Sequence, residues 1–160
     1  MCGYHRAMHS EHHFALSVEW IGNRGSGTSG YRDYGREGVV TAPQKTPIDA
    51  SAARVFHGNA ERWNPEELLI AALAECHMLS YLHCAVRHGV TVTAYRDEPT
   101  GTMVQEGNGG HFTEVTLRPR VTLADPSQRE LADSLHAEAS ENCFIAASVN
   151  FPVRHAPVAD

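Results

Sequence analysis

Four cysteines, Cys2, Cys76, Cys84 and Cys143, are the residues of this 160-residue chain with the most chemistry to offer. No two of them make a C-x-x-C pair, so neither a zinc ribbon nor a thioredoxin-type motif is available. A chain of this size and apolar content has no need of disulfide staples, and free thiols in a reducing compartment are the expectation. Cys76 stands inside a long apolar segment, where a cysteine ordinarily serves as a small core residue. Its sharper use is as a redox nucleophile, which demands a thiolate. If the segment is a helix from Pro65, Cys76 lies about 16 Å along its axis. The helix dipole fades within the first turn and cannot lower this thiol's pKa, while burial alone would raise it. A reactive Cys76 therefore needs a cation from elsewhere in the fold. Arginine is the expected source, because the only lysine, Lys45, sits in a proline-punctuated stretch.

Cys143 lies in ENCFIAAS, either as a buried small residue at a helix end or as a thiol that resolves a sulfenic acid on Cys76. Cys84 is about 12 Å further along the helix than Cys76, too far to bridge it. If an intramolecular disulfide forms, Cys76 and Cys143 are the candidate pair. Eleven histidines are present, but His77 and His83 point about 120° apart on a helix and cannot share a metal. His9, His12 and His13 cluster near the N-terminus, where only adventitious metal binding is expected. No H-E-x-x-H occurs, and no intrinsic metal site is expected.

The elements that must position these residues read as follows. FALSVEW (14–20) alternates as a half-buried strand. A glycine-rich hairpin connection spans 22–30 and lacks the lysine of a phosphate-binding loop. A second strand covers 31–41, and 41–51 offers at most a short third one. Asn64, Pro65, Glu66 and Glu67 open a helix that runs to a stop at Gly89. Apolar on most of its circumference, it is expected to be buried on most sides. Strands follow at 90–95 and 102–105, then a GNGG turn. Val115, Leu117, Val121 and Leu123 alternate along one further strand, with Pro119 marking an edge or bulge. Asp125 and Pro126 start a second helix over 127–141 with Leu131 and Leu135 inward. A last strand covers 148–155. The order gives an α+β fold: a segment 1–12 expected to be flexible, then a single domain over 13–160.

Apolar residues make up 42% of the chain and charged ones 20%, so a packed core is expected. A net charge of −6 argues against nucleic acid as a partner. No unbroken apolar run approaches a membrane span, and no apolar leader core opens the sequence. A cytoplasmic protein is the expectation.

Four strings together, WIGNRGSGTSGYRDYGRE, RWNPEELLIAALAECHMLSYLHCA, FTEVTLRPRVTLA and NCFIAASV, resemble the OsmC/Ohr family of thiol-dependent peroxidases, and more narrowly its OsmC-like peroxiredoxin branch. The resemblance runs from about His13 to the last strand. It implies an intertwined α+β homodimer with two long central helices, reducing organic hydroperoxides and in some members hydrogen peroxide. It implies that Cys76 attacks the peroxide and Cys143 resolves it to a disulfide. No metal or organic cofactor is implied; a dithiol, in some members a protein-bound lipoyl group, restores the thiols. An arginine of the first hairpin completes the site, Arg32 or Arg36, with Arg32 the slightly better fit. The first glutamate of the NPE motif falls on Glu66. Glu75 departs from the branch, which has a small neutral residue there; it would oppose a thiolate if turned inward, and helix geometry turns it toward solvent or a partner.

Glu66 lies about 15 Å below Cys76 on the same helix. If both serve one site, either the arginine spans the gap or Glu66 comes from a second subunit. An isologous dimer with antiparallel central helices does the latter and makes two composite sites. The competing reading is a non-catalytic dimeric module that binds apolar or organosulfur ligands.

Overall fold

Leu16, Val18 and Trp20 do set up a strand in the computed structural model, which describes residues 10–158. It is shorter than the alternation suggests, β1 (Ser17–Trp20). Cys2, His9 and most of the segment 1–12 fall outside the described residues. The described chain divides after Pro65 into two compact units.

In the first unit β1 pairs antiparallel with β2 (Gly38–Thr41), and β2 with β3 (Ile48–Ala50), in the order β1-β2-β3. Residues 31–37, expected to be extended, curl into turns instead. The reason is Arg36: its guanidinium donates to the carbonyls of Tyr31 and Tyr34, each at 2.7 Å. It also lies over both rings, 4.7 and 4.2 Å from their centres, so the chain must close around it. The hairpin is tied at its base by two glycines. The Gly35 amide donates to the Gly22 carbonyl and the Trp20 indole donates to the Gly35 carbonyl, both at 2.8 Å. A Cβ on Gly22 would run into that carbonyl. The expected half-burial of β1 is not found: Val18 is 71% exposed and all four strand residues are exposed. Alternation marks an apolar face, and the described residues leave this one exposed.

The second unit is built along α1 (Pro65–Arg87), which carries Glu66 and Glu67 in its first turn and ends at Gly89, φ +70°. Two small cores share this helix. Leu69, Ile70, Leu73 and Ala74, on its N-terminal half, pack with Val115 and Leu117. These belong to the sheet β5 (Thr100–Glu106), β6 (Gly109–Leu117) and β8 (Val153–His155), where β8 runs parallel to β6. On the C-terminal half, Tyr81, Cys84 and Ala85 pack with Val121, Leu123, Ala132, Leu135 and Ala139. Those come from β7 (Pro119–Leu123), which pairs antiparallel with β4 (Val92–Asp97), and from α2 (Arg129–Glu141).

Four expectations need correction here. Residues 112–123 are two strands in two different sheets, because Pro119 starts a new strand rather than bulging an old one. Leu131 is 40% exposed and only Leu135 of the expected pair is buried. The start is also displaced, since Asp125 caps a 3-10 turn (Pro126–Gln128) by accepting from the Ser127 amide, and α2 follows it. Finally, α1 is not buried on most sides: only Leu73, His77, Tyr81, Cys84 and Ala85 are buried. Though Glu75 and the helix histidines break any pure apolar run, α1 is long and apolar enough to cross a membrane by length and composition, with a mean hydropathy of 1.4. Its apolar character is spread between polar residues and shows only as an average. Its buried polar His77 ties it to α2 through His136 at 3.0 Å, while Leu79 and Val86 on it stay exposed among the described residues.

Candidate active site

Cys76 sits on α1 at the junction of the two cores, one turn beyond Leu73 and one before Tyr81. It is half-buried, a correction to the buried thiol expected from the helix's apolar surroundings. Cys143 follows the last turn of α2, where the chain leaves the helix for the 3-10 turn Ala146–Ser148. It is 2% exposed, so any reagent from solvent meets Cys76 first. Ser80, one turn past Cys76, helps bring this segment to α1 by donating to the Asn142 carbonyl at 3.4 Å.

The two thiols are free and close enough for Cys76 to act on Cys143. Burial pushes the Cys143 pKa up to about 11, and the neighbouring Cys76 adds to the rise. A raised pKa favours the protonated form, so Cys143 is held as the thiol. Opposing the rise, the Ala146 amide donates to Cys143 Sγ at 3.4 Å and the Ile145 amide also contributes. Chemically the arrangement is a half-exposed sulfur beside a sheltered thiol.

The other expected site residues are placed as follows. Glu66 is half-buried in the first turn of α1, and its Oε2 is buried without a hydrogen-bond partner among the described residues. Arg36 is committed to Tyr31 and Tyr34 within its own hairpin. Arg32 is exposed, with no side-chain hydrogen bond or ion pair among the described residues. Glu75 is exposed, as helix geometry required. Cys84 is buried against the Glu138 and Asn142 side chains, and burial raises its pKa. Neither of two surface cavities is lined by Cys76 or Cys143; one, of about 360 Å³, lies at the far end of α1 around Leu82, Val86 and Val92. Among the described residues no three His, Cys, Asp or Glu side chains are arranged to hold a metal ion.

Sequence reasoning missed a histidine cluster beside the thiols. His77, fully buried, meets His136 of α2 at 3.0 Å, and its ring lies 4.2 Å from that of His155 on β8. Three histidines so far apart in sequence carry no spacing signal. The one hint was His77 itself, polar on the face of α1 that also carries Leu73 and Tyr81.

Set beside known proteins, residues 58–156 match the family model described as OsmC-like protein. The chain belongs to the OsmC-like family. Among solved OsmC-like structures, a protein of unknown function from Vibrio cholerae is 30% identical with a TM-score of 0.80, covering 94% of this chain and 100% of its own. An organic hydroperoxide resistance protein from Legionella pneumophila shares the fold at 20% identity, with a TM-score of 0.66 and coverage of 94% and 99%. A relative in sequence, the uncharacterized protein YmaD of Bacillus subtilis (strain 168), is 27% identical over 143 residues, 88% of each chain.

Proposed function

We propose that this OsmC-like protein is a thiol-dependent peroxidase that reduces organic hydroperoxides, with hydrogen peroxide a poorer substrate. Family membership points to a redox role in peroxide stress, and the finer reading rests on one observation: a half-exposed Cys76 paired with a sheltered Cys143 thiol. Cys76 thiolate attacks the distal peroxide oxygen, the O–O bond breaks, and the departing alkoxide takes a proton and leaves as alcohol. The sulfenic acid on Cys76 then condenses with Cys143 S–H, giving a disulfide and one water. An external dithiol, a lipoyl group on a partner protein among the candidates, reduces the disulfide by two exchanges and leaves oxidised. No resident metal or organic cofactor takes part in this scheme.

The activating guanidinium is proposed to be Arg32. Arg36 is spent on the turn it organises, whereas Arg32 is exposed and uncommitted. A guanidinium suits the task because its planar fork can hold thiolate and peroxide oxygen at once and stabilise charge on the leaving oxygen. Glu66, with an unpartnered buried carboxylate oxygen, is proposed to orient that fork from the second subunit of a homodimer. A cytoplasmic setting, whose reductants keep such thiols recyclable, is part of the proposal.

The deciding experiment is consumption of cumene hydroperoxide by the purified protein with dihydrolipoamide, dithiothreitol or glutathione as reductant. Dithiol-dependent turnover that vanishes in Cys76→Ser is the expected result. Equal consumption by Cys76→Ser and the unaltered protein would exclude the mechanism.

A further inference from the structure

The histidine cluster joins three elements at the level of the thiols. His77 follows Cys76 on α1, His136 lies on the face of α2 that leads through Ala139 to Cys143, and His155 is on β8. The rings form a continuous stack: Tyr81 to His136 at 4.3 Å, His136 to His77 at 5.3 Å, His77 to His155 at 4.2 Å. His77 is 0% and His136 4% exposed. One proton joins His77 Nε2 and His136 Nδ1, and His77 Nδ1 is buried with no hydrogen-bond partner among the described residues. A bare ring nitrogen tolerates that better than an orphan N–H, so the neutral tautomer with the proton on His77 Nε2 fits best. A second proton on His77 would have to sit on Nδ1, facing nothing that accepts it.

We propose that His77, His136 and His155 form an acid-released clamp that holds α1 and α2 in the register bringing Cys143 to Cys76. The surroundings offer little to offset a positive charge. From α1 the cluster faces Tyr81, and from β8 His155 itself. From α2 it faces Asp133, the one acid acting on His136, with Arg129 near Tyr81. From β4, Tyr95 and Asp97 reach it only through the Tyr81 ring. Further along the same seam, Arg87 of α1 and His88 just beyond it pair with Glu138 of α2 at 3.1 and 2.8 Å, in solvent. Burial and the neighbouring rings hold His77 down at about 3 and His136 at about 4, and burial lowers His155.

These groups bind protons less readily closed than released, and the released rings titrate near 6.5. Above that value neither state holds the extra protons and the clamp is at full strength. As pH falls below 6.5 the released state gains protons that the closed state refuses, so closure weakens until the closed rings themselves protonate near 4 and 3. Released, the seam leaves a Cys76 sulfenic acid unresolved. This last consequence rests on the peroxidase reading; the clamp does not.

The test is native-state hydrogen exchange of α2 amides in the reduced full chain between pH 7 and 4.5, corrected for intrinsic exchange. The opening constant is expected to rise below pH 6.5 by up to about tenfold per pH unit for each histidine released. His136→Phe, which keeps the ring stack but takes no proton, should lose about one such factor. His155→Phe is the second variant should the first not fold. Opening constants independent of pH, or equally pH-dependent in the variants, would overturn the clamp, as would a native His77 or His136 titrating near 6.5 by NMR. Separately, dimedone trapping after one equivalent of cumene hydroperoxide should label Cys76 more strongly at pH 5 than at pH 7, and less so in the variants. Pairing normal exchange behaviour with no labelling at any pH would count against the peroxidase alone.

Discussion

A thiol kept protonated by burial beside a more exposed sulfur divides the labour between them. Cys143 stays a sheltered S–H until Cys76 is oxidised, and is then the neighbour that can attack it. In Cys143→Ser a hydroxyl replaces the thiol and cannot form the disulfide. One equivalent of peroxide per chain should be consumed and turnover should then stop, as read by stopped-flow consumption and by mass spectrometry of Cys76. The two arginines should separate cleanly. Arg32→Ala is expected to lower kcat/KM for cumene hydroperoxide by about 100-fold or more, the usual loss when a leaving-oxygen donor is removed, with an unchanged urea midpoint. Arg36→Ala should instead lower stability by about 1–3 kcal/mol, since it abandons the Tyr31 and Tyr34 carbonyls, as read by urea denaturation.

At the scale of elements, α1 and β5 meet closely at a glycine. A Cβ on Gly101 would stand 2.8 Å from Ile70 Cδ1 and 2.8 Å from a Phe112 ring carbon. Gly101→Val should therefore destabilise the chain by about 1–3 kcal/mol through overpacking, measured as a lowered urea midpoint. Local sequence rules recovered most of the elements, because their signals are local: Asn64-Pro65 and Gly89 bound α1, Asp125 caps the turn before α2, and Gly107 with φ +61° turns β5 into β6. What they could not recover is partnership. Pro119 punctuates the chain in the same way whether a strand bulges or changes sheet. Leu131 obeys the same spacing as Leu135 yet faces out. The candidate site divides along the same line. Cys76 and Cys143 were legible from helix geometry and motif, whereas His136 and His155 reach His77 only through tertiary folding.

For the whole molecule, the largest unmet demand is apolar surface. Leu68, Ala72, Leu79, Leu82 and Val86 follow one another on α1 at alternating steps of three and four once Glu75 is included, the spacing of a helix–helix seam. Leu79 is 57% and Val86 78% exposed, and Val18 and Leu16 of the first unit are equally bare. A second copy is the proposed cover, through antiparallel α1 helices. Leu79→Glu should weaken such a dimer about 100-fold or more, because each substitution enters the interface twice. Sedimentation equilibrium would read the shift from dimer to monomer, and loss of activity on dilution should accompany it if the sites are composite.

The parallel pairing of β8 with β6 also orders events in time. Every residue of the core formed by the C-terminal half of α1, β4, β7 and α2 precedes Cys143 in the chain, so that half can consolidate in refolding without β8. The sheet on the other half stays incomplete until Val153–His155 docks. His155 is thus the last ring to arrive at a stack whose other members are already assembled. In refolding followed by pulsed deuterium labelling, amides of α2 should become protected before those of β8. The two sulfurs would then meet before the fold around them has closed.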